Sequence, residues 1–459
     1  MPILRAVAMM GTETMKRNVV KPAIAGALIL AITALAAPAL AQEEATSPFA
    51  GAAETAYIFN TLLFLIGGFL VMWMAAGFAM LEVGLVRSKN VSMQSLKNVG
   101  LYSIAGIMYW LIGYNLMYDG VDGGVIGTFS PKVFPEPGAD LEAGYAASSD
   151  WFFQMVFCAT TASIVSGAIA ERIKLSPFLL FTAILTGLIY PITGAWQWGG
   201  GWLAELGFSD FAGSTLVHSV GGWAALTGAI ILGARHGKYN KDGSVNVMPG
   251  SSIPLATLGV FILWLGWFGF NGASQLAMGT IEDVASVGQI FANTNIAAAG
   301  GVVAVIILTR VFYRKVDVTM VLNGALAGLV AITAEPLAPS LWMAVLIGAI
   351  GGVLVVIFVP LLDRFKIDDV VGAIPVHLVA GIWGTLAVPL TNDGTNFGDQ
   401  IVGIVSIGAF VVIASTFVWL ALKTFMGLRP TIEEEIQGLD TVEVGVEAYP
   451  EFGQGSQRA

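Results

Sequence analysis

Charge is what this chain has least of. Aspartate, glutamate, lysine and arginine make up 11% of its 459 residues, against about 25% in an ordinary soluble domain. With 56% hydrophobic residues and a mean hydropathy of +0.79, that shortage excludes a soluble globular protein and leaves a polytopic membrane protein. A single cysteine, Cys158, excludes an internal disulfide and argues against a thiolate metal centre. Set in an apolar run, it reads as a small buried hydrophobe. The net charge of −10 and the scattering of the basic residues through short polar intervals argue against nucleic acid as a partner. Histidine is scarcer still. Of three, His236 lies in a polar interval, while His218 and His377 lie inside apolar runs.

What is present is a series of spans. Lys16, Arg17 and Lys21 precede an apolar run over 23–37, and Ala39-Leu40-Ala41 offers a small-residue cleavage site, so residues 1–41 read as a signal peptide that is removed. Beyond it, apolar runs near 56–86, 98–117, 151–170, 176–193, 214–233, 253–274, 290–309, 319–334, 341–362, 370–389 and 401–426 predict an all-α fold of eleven transmembrane helices. The membrane domain covers 54–426, and 427–459 form a tail. Charges test the count. One alternate set of loops carries Arg87, Lys89, Lys97, Arg172, Lys174, Arg235, Lys238, Lys241, Arg310, Arg314, Lys315, Arg364, Lys366, Lys423 and Arg429. The other carries Lys132 alone among many acids. The positive-inside rule then places the N-terminus outside and the tail in the cytoplasm, which requires an odd number of spans.

Three polar stretches stand out. Residues 117–150 form a long acidic connection with Pro131, Pro135 and Pro137. The cluster Trp196-Gln197-Trp198-Gly199-Gly200-Gly201-Trp202 reads as an interfacial aromatic belt. In the tail, Ile432 to Gln437 predicts a short acidic helix stopped at Gly438, and Phe452 to Ala459 look frayed.

The two apolar histidines sit in matching hexapeptides, Val217-His218-Ser219-Val220-Gly221-Gly222 and Val376-His377-Leu378-Val379-Ala380-Gly381, both V-H-x-V-x-G. Ionisable groups at membrane depth are costly and mark a pathway. If spans one to five and six to ten are inverted repeats, with the eleventh outside them, the histidines occupy equivalent positions, the fifth and tenth spans, at a transporter-type midplane site. A metal would need three or four ligands, and no further ones lie in the apolar runs near them. A bis-histidine haem needs room between helices, and a purely structural hydrogen-bonded pair is the third alternative. The remaining one is a polar relay, in which two imidazoles offer a donor or an acceptor to a small passing molecule.

A wider set of motifs resembles the ammonium transporter family (Amt/Mep/Rh). Asp210-Phe211-Ala212-Gly213-Ser214 leads into Val217-His218 and is followed by Arg235. Gly84-Leu85-Val86-Arg87-Ser88-Lys89-Asn90, Phe153-Gln154 with Phe157, and Gly167-Ala168-Ile169-Ala170-Glu171-Arg172 extend it. Trp198-Gly199-Gly200-Gly201, Gly266-Trp267-Phe268-Gly269-Phe270-Asn271, Asp368-Asp369 and Val376-His377 complete it. The similarity covers roughly 55–449. It implies that Phe157, Trp198 and Ser274 form an external ammonium recruitment site, that Phe153 and Phe270 form a stacked phenyl gate, and that His218 and His377 line the pore. Asp210 supports the recruitment site by this resemblance; from its position alone it could equally cap the fifth span. The resemblance further implies ammonium or methylammonium as substrate, a homotrimer with one pore per subunit, no cofactor or metal, and a bacterial inner (plasma) membrane location. An ammonium sensor signalling through the tail is the alternative function. The tail matches at Leu428-Arg429-Pro430, Gly438-Leu439-Asp440 and Glu447-Ala448-Tyr449, which points to a PII-type signal protein as partner, but Val444-Gly445-Val446 stands where the family has His-Gly-Glu. Glu82, about a turn from Arg87, is expected to pair with it at the interface.

Overall fold

The computed structural model describes residues 51–451, so the signal peptide and the residues after 451 lie outside it. Nine helices among the described residues are long and apolar enough to cross a membrane. They are α1 (Ala52–Leu85), α2 (Ser88–Tyr118), α3 (Ala147–Ala168), α4 (Leu175–Leu206), α5 (Ser214–Leu232), α6 (Ile253–Gln275), α7 (Ile281–Tyr313), α9 (Leu341–Arg364) and α11 (Phe397–Phe425). Two shorter apolar helices, α8 (Val318–Ile332) and α10 (Ile374–Leu390), fall on the eighth and tenth expected spans. Among the described residues there is no strand, only an isolated bridge between Tyr239 and Val245.

Helix ends depart from expectation where charged residues suggest loop. α7 starts at Ile281 because Thr280 accepts from the Asp283 N–H while the Asp283 carboxylate accepts from the Thr280 N–H, closing a capping box. Glu282 and Asp283 are therefore first-turn residues, favoured by the helix dipole. α2 starts at Ser88, so Lys97 is not a loop charge: it is a fully buried helical residue. Its Nζ donates to the Ser166 carbonyl at 2.9 Å and to Gln94 Oε1 at 3.2 Å.

The packing separates inside from outside. In α3, 89% of the apolar window is buried, and in α5 78%, against 33% in α7 and α9. α3 and α5 therefore line the interior, while α7 and α9 present residues such as Val303, Phe312, Trp342 and Leu346 outward, as lipid-facing helices do. α1 packs along α6, and the start of α5 packs against α10.

At one end of the bundle the connections knit into a charged network. Arg235 forks onto Asp368, with Nε to Oδ2 and Nη2 to Oδ1 both at 2.8 Å, and its Nη1 reaches Glu171 at 2.8 Å. Burial works against the Asp368 carboxylate, yet Arg235 and the nearby Arg172 hold it well below the usual range. Arg87 pairs with Glu171, not with Glu82 as expected. Arg172 is buried and donates to the carbonyls of Gly233, Ala168 and Ala170.

The tail packs against the rest of the protein. The short helix α12 (Ile432–Gln437) starts on Thr431 in a capping box with Glu434 and stops at Gly438, where φ is 112°. The Glu435 carboxylate accepts from Arg429 and from the His236 N–H at 2.6 Å. Leu439 N donates to Asn90 Oδ1 at 2.9 Å, and Asp440 Oδ1 accepts from Met93 N at 2.8 Å. The tail thus packs on the start of α2 and the loop after α5. Since Lys174 N donates to the Leu428 carbonyl at 2.9 Å, α4 begins beside the tail, and its far end, bearing Trp198, reaches the opposite face. There Trp196 is buried, packed on Trp202 and Phe410 with Nε1 donating to the Val125 carbonyl. It is a core residue and not part of an interfacial belt.

Candidate functional site

At the end away from the tail a cavity of about 430 Å³ opens among α1, α2, α3, α4 and α6. Phe157, Trp198 and Ser274, the three residues expected at a recruitment site, all line it. Trp198 stands edge-on to Phe157, ring centroids 6.2 Å apart, and is held by its Nε1 donating to the Asp210 carbonyl at 2.8 Å. Ser274 Oγ donates to the Phe270 carbonyl at 2.7 Å, which spends its hydrogen and leaves its lone pairs as acceptors. Two aromatic faces and an acceptor hydroxyl suit a small cation. The cavity also holds a residue that the sequence alone puts in the acidic loop. Asp150, near the start of α3, is buried and accepts from the Tyr114 hydroxyl and from Gln154 Nε2. Its signal was the i, i+4 spacing to Gln154, which lies in the Phe153-Gln154 motif.

Below the cavity the rings close up. The stacked pair is Phe157 on Phe270, with centroids 4.0 Å apart and planes 25° apart. The expected stack of Phe153 on Phe270 is not what forms. Phe153 lies one turn earlier on α3, edge-on to Phe157 at 4.7 Å and stacked on Phe64 at 5.4 Å. The reason is helical geometry: residues four apart on α3 lie one above the other, so only one of the two can meet α6 at the level of Phe270.

Phe270 stacks in turn on His218 at 5.2 Å, and His218 on His377 at 5.2 Å, with the two Nδ1 atoms 3.1 Å apart. Trp267 covers another face of His218 at 5.0 Å. In a neutral pair one Nδ1–H donates and the other Nδ1 accepts. One ring then presents a bare Nε2 and the other an Nε2–H. His218 Nε2 is buried with no hydrogen-bond partner among the described residues.

The local folding of the two histidine segments is the same. Both lie in π-helical turns, Ser214–Ser219 and Ile374–Val379, a geometry frequent at functional sites. Each is preceded by a glycine with positive φ, Gly213 at 110° and Gly372 at 80°. Each is also capped by an aspartate eight residues before the histidine. Asp210 accepts from the N–H groups of Gly213, Ser214, Thr215 and Leu216 at 2.8–3.0 Å. Asp369 accepts from Gly372 at 3.0 Å and Ile374 at 2.7 Å. Burial pushes the Asp210 carboxyl up to about 6, against four N–H donors that favour the carboxylate. The chain itself carries this signal: D-x-x-G-x-x-x-V-H occurs at Asp210 and again at Asp369, extending the hexapeptide match toward the N-terminus in both halves. The glycines that end the two hexapeptides interlock. A Cβ on Gly222 would meet Leu378 N at 2.7 Å, and one on Gly381 would meet Ser214 O at 2.4 Å, so each half packs its glycine on the other half's histidine turn.

Glu82 is elsewhere than expected. It is buried, with Oε2 accepting from Gln94 Nε2, from Asn98 Nδ2 at 2.7 Å and from Ser166 Oγ at 3.0 Å. Among the described residues no group of three His, Cys, Asp or Glu side chains could hold a metal ion.

Comparison with known proteins places the chain in a family. The family model described as Ammonium Transporter Family matches residues 62–449. The ammonium transporter Amt2 of Archaeoglobus fulgidus is 41% identical over 423 residues, 84% of this chain and 87% of that protein. The ammonium transporter of Bacillus subtilis is 35% identical over 409 residues, 85% and 98% of the two chains. The solved structure of a protein named "Sensor Amt Protein" superposes with a TM-score of 0.80 at 37% identity, covering 85% of this chain and 99% of that one. A match of that extent, laid over an aromatic-lined cavity and a buried histidine pair, makes this chain a member of the ammonium transporter family.

Proposed function

We propose that the protein transports ammonium across a bacterial inner membrane, from the Trp198 face to the tail face. The observation that carries this is the unbroken line of rings from Trp198 through Phe157, Phe270 and His218 to His377. Ammonium is recruited by Phe157, Trp198 and Ser274, where cation–π attraction contributes about 2 kcal/mol once water is shed. Asp210 supports that site through Trp198 and caps the histidine turn below it. Phe157 and Phe270 act as the gate, with Phe153 above it. Carrying the intact cation to mid-membrane would cost at least about 3 kcal/mol and by some scales more than 10, whereas each pKa unit by which the ammonium ion is acidified costs about 1.4 kcal/mol. The ion therefore loses its proton near the gate and passes as ammonia along His218 and His377. The histidine pair carries the proton in parallel, which makes transport electrogenic. The eleven-span, N-out and C-in arrangement, a homotrimer with one pore per subunit and a PII-type partner at the docked tail belong to this reading, as does removal of residues 1–41.

A second reading, an ammonium sensor, is favoured by the likeness to the solved sensor protein above and by the tail's attachment to the start of α2. Methylammonium uptake by cells expressing the wild type or His218→Ala separates the two. Transport predicts wild-type uptake that His218→Ala abolishes. Wild-type uptake at background, with binding retained, would favour the sensor.

A further inference from the structure

His377 borders a second, much smaller cavity on the tail side of the histidine pair. At about 10 Å³ it has room for about one water-sized molecule. It is lined by Phe78, Leu81, Ser163 and Asn323, and its ionisable groups are His377 and Glu82. The Glu82 carboxylate is divided in use. Oε2 takes all three donors, Gln94, Asn98 and Ser166, while Oε1 is buried with no hydrogen-bond partner among the described residues. Gly167 keeps the space before that oxygen open, since a Cβ there would stand 3.3 Å from Oε1. Lys97, whose Nζ bonds Gln94 Oε1 and the Ser166 carbonyl and lies 4.5 Å from the Phe178 ring centroid, supplies the neighbouring positive charge. An anchored carboxylate with one free oxygen, facing a one-molecule cavity shared with a pore histidine, is arranged to take up and release a proton.

We propose that Glu82 is the tail-side proton acceptor of the pore, reached from His377 through one water-sized molecule in this cavity. The inference rests on the transport reading above. The His377 imidazolium gives its N–H proton to a water in the cavity, and that water gives one of its own protons to Glu82 Oε1, forming the carboxylic acid. Ammonia arriving from the histidine pair then takes that proton and leaves as ammonium, which restores the carboxylate beside Lys97. One ammonia and one proton enter the step and one ammonium leaves it.

The test is Glu82→Gln in sealed proteoliposomes, with current and ammonia uptake recorded after an ammonium pulse. Glutamine keeps the size of the side chain but cannot accept the proton. The charge moved per ammonia taken up should fall at least tenfold relative to wild type. A ratio within twofold of wild type would overturn the proposal. Glu82→Gln strands the Lys97 charge, so the charge-balanced pair Glu82→Gln with Lys97→Met is read in the same way. Should neither variant fold, the infrared difference spectrum of the wild type on adding ammonium decides, because a carboxylic-acid band that is absent under all ammonium concentrations overturns the assignment. Wild-type uptake without current would also overturn it while leaving transport intact. No wild-type uptake at all would overturn transport itself.

Discussion

Replacing Asp210 sets two opposing contributions against each other, and their sizes can be worked out. Its carboxylate satisfies four backbone N–H groups at the head of the His218 turn, and each buried donor left without an acceptor costs about 1–3 kcal/mol. Against this, burial raises the carboxyl from 3.8 to about 6, so holding the charge there costs about 3 kcal/mol at neutral pH. Asp210→Ala relieves that cost but orphans all four donors, which at about 1.5 kcal/mol each gives a net loss of roughly 3 kcal/mol. Asp210→Asn also relieves it and keeps one carbonyl oxygen, enough for two of the four donors, so its two contributions nearly cancel. The folded carboxyl titrates above the unfolded one. The stabilisation of the protonated form is therefore complete below about pH 4 and lost as pH rises through about 6. Thermal unfolding in detergent, followed by tryptophan fluorescence from pH 4 to 8, should show the alanine variant well below wild type at pH 7 and the asparagine variant close to it. The wild type should gain on the asparagine variant as the pH falls from 6 to 4. Equal midpoints for the two variants at pH 7, or a gap between wild type and the asparagine variant that stays the same from pH 6 to pH 4, would refute this account of the cap.

Three other expectations follow from the same contacts. Removing the Phe270 ring from its stack on Phe157 should open the gate, so that Phe270→Ala takes up larger alkylammonium ions several-fold faster relative to ammonium; unchanged selectivity would place the gate elsewhere. Glu435→Ala loses the acceptor for Arg429 and for His236 N, so limited digestion by a glutamate-specific protease at the exposed Glu433 should quicken at least fivefold, and an unchanged rate would mean that this carboxylate does not hold the tail. Asp368 lies below the usual carboxylate range in the fold, so its contribution is complete above about pH 4 and lost as pH falls further. Asp368→Asn should cost roughly 3–5 kcal/mol at pH 7, with the difference shrinking in acid; a pH-independent difference would contradict the pairing.

Nine spans were legible because each is a long apolar run on which a described helix falls, and two shorter apolar helices lie at the eighth and tenth expected positions. Their ends were not, because charge is an imperfect mark of the aqueous phase. Lys97 is buried among helices, and Glu282 and Asp283 complete a helix cap. Phe157, Trp198 and Ser274, far apart in the chain, line one cavity. The phenyl stack was misassigned by one helical turn, a distance that a motif containing both Phe153 and Phe157 cannot resolve. Glu82 illustrates a different limit. Its spacing to Arg87 is a helical neighbour's, but the first helix ends at Leu85, so Arg87 turns away to Glu171 and Glu82 turns inward to α2 and α3. The histidine pairing was visible as a repeated hexapeptide, while the capping aspartates, eight residues earlier in each half, become meaningful only once both turns are seen as π-helical.

Ammonium taken up at the Trp198 face must pass the histidine pair, as ammonia, to reach the tail face. The most direct measurement is ammonium flux into sealed vesicles reconstituted with the purified wild type or with His218→Ala, where cell metabolism plays no part. Wild-type flux should stand well above that of protein-free vesicles, and His218→Ala flux should equal theirs. Wild-type flux no greater than that of empty vesicles, from protein that ammonium still stabilises against heat, would contradict it.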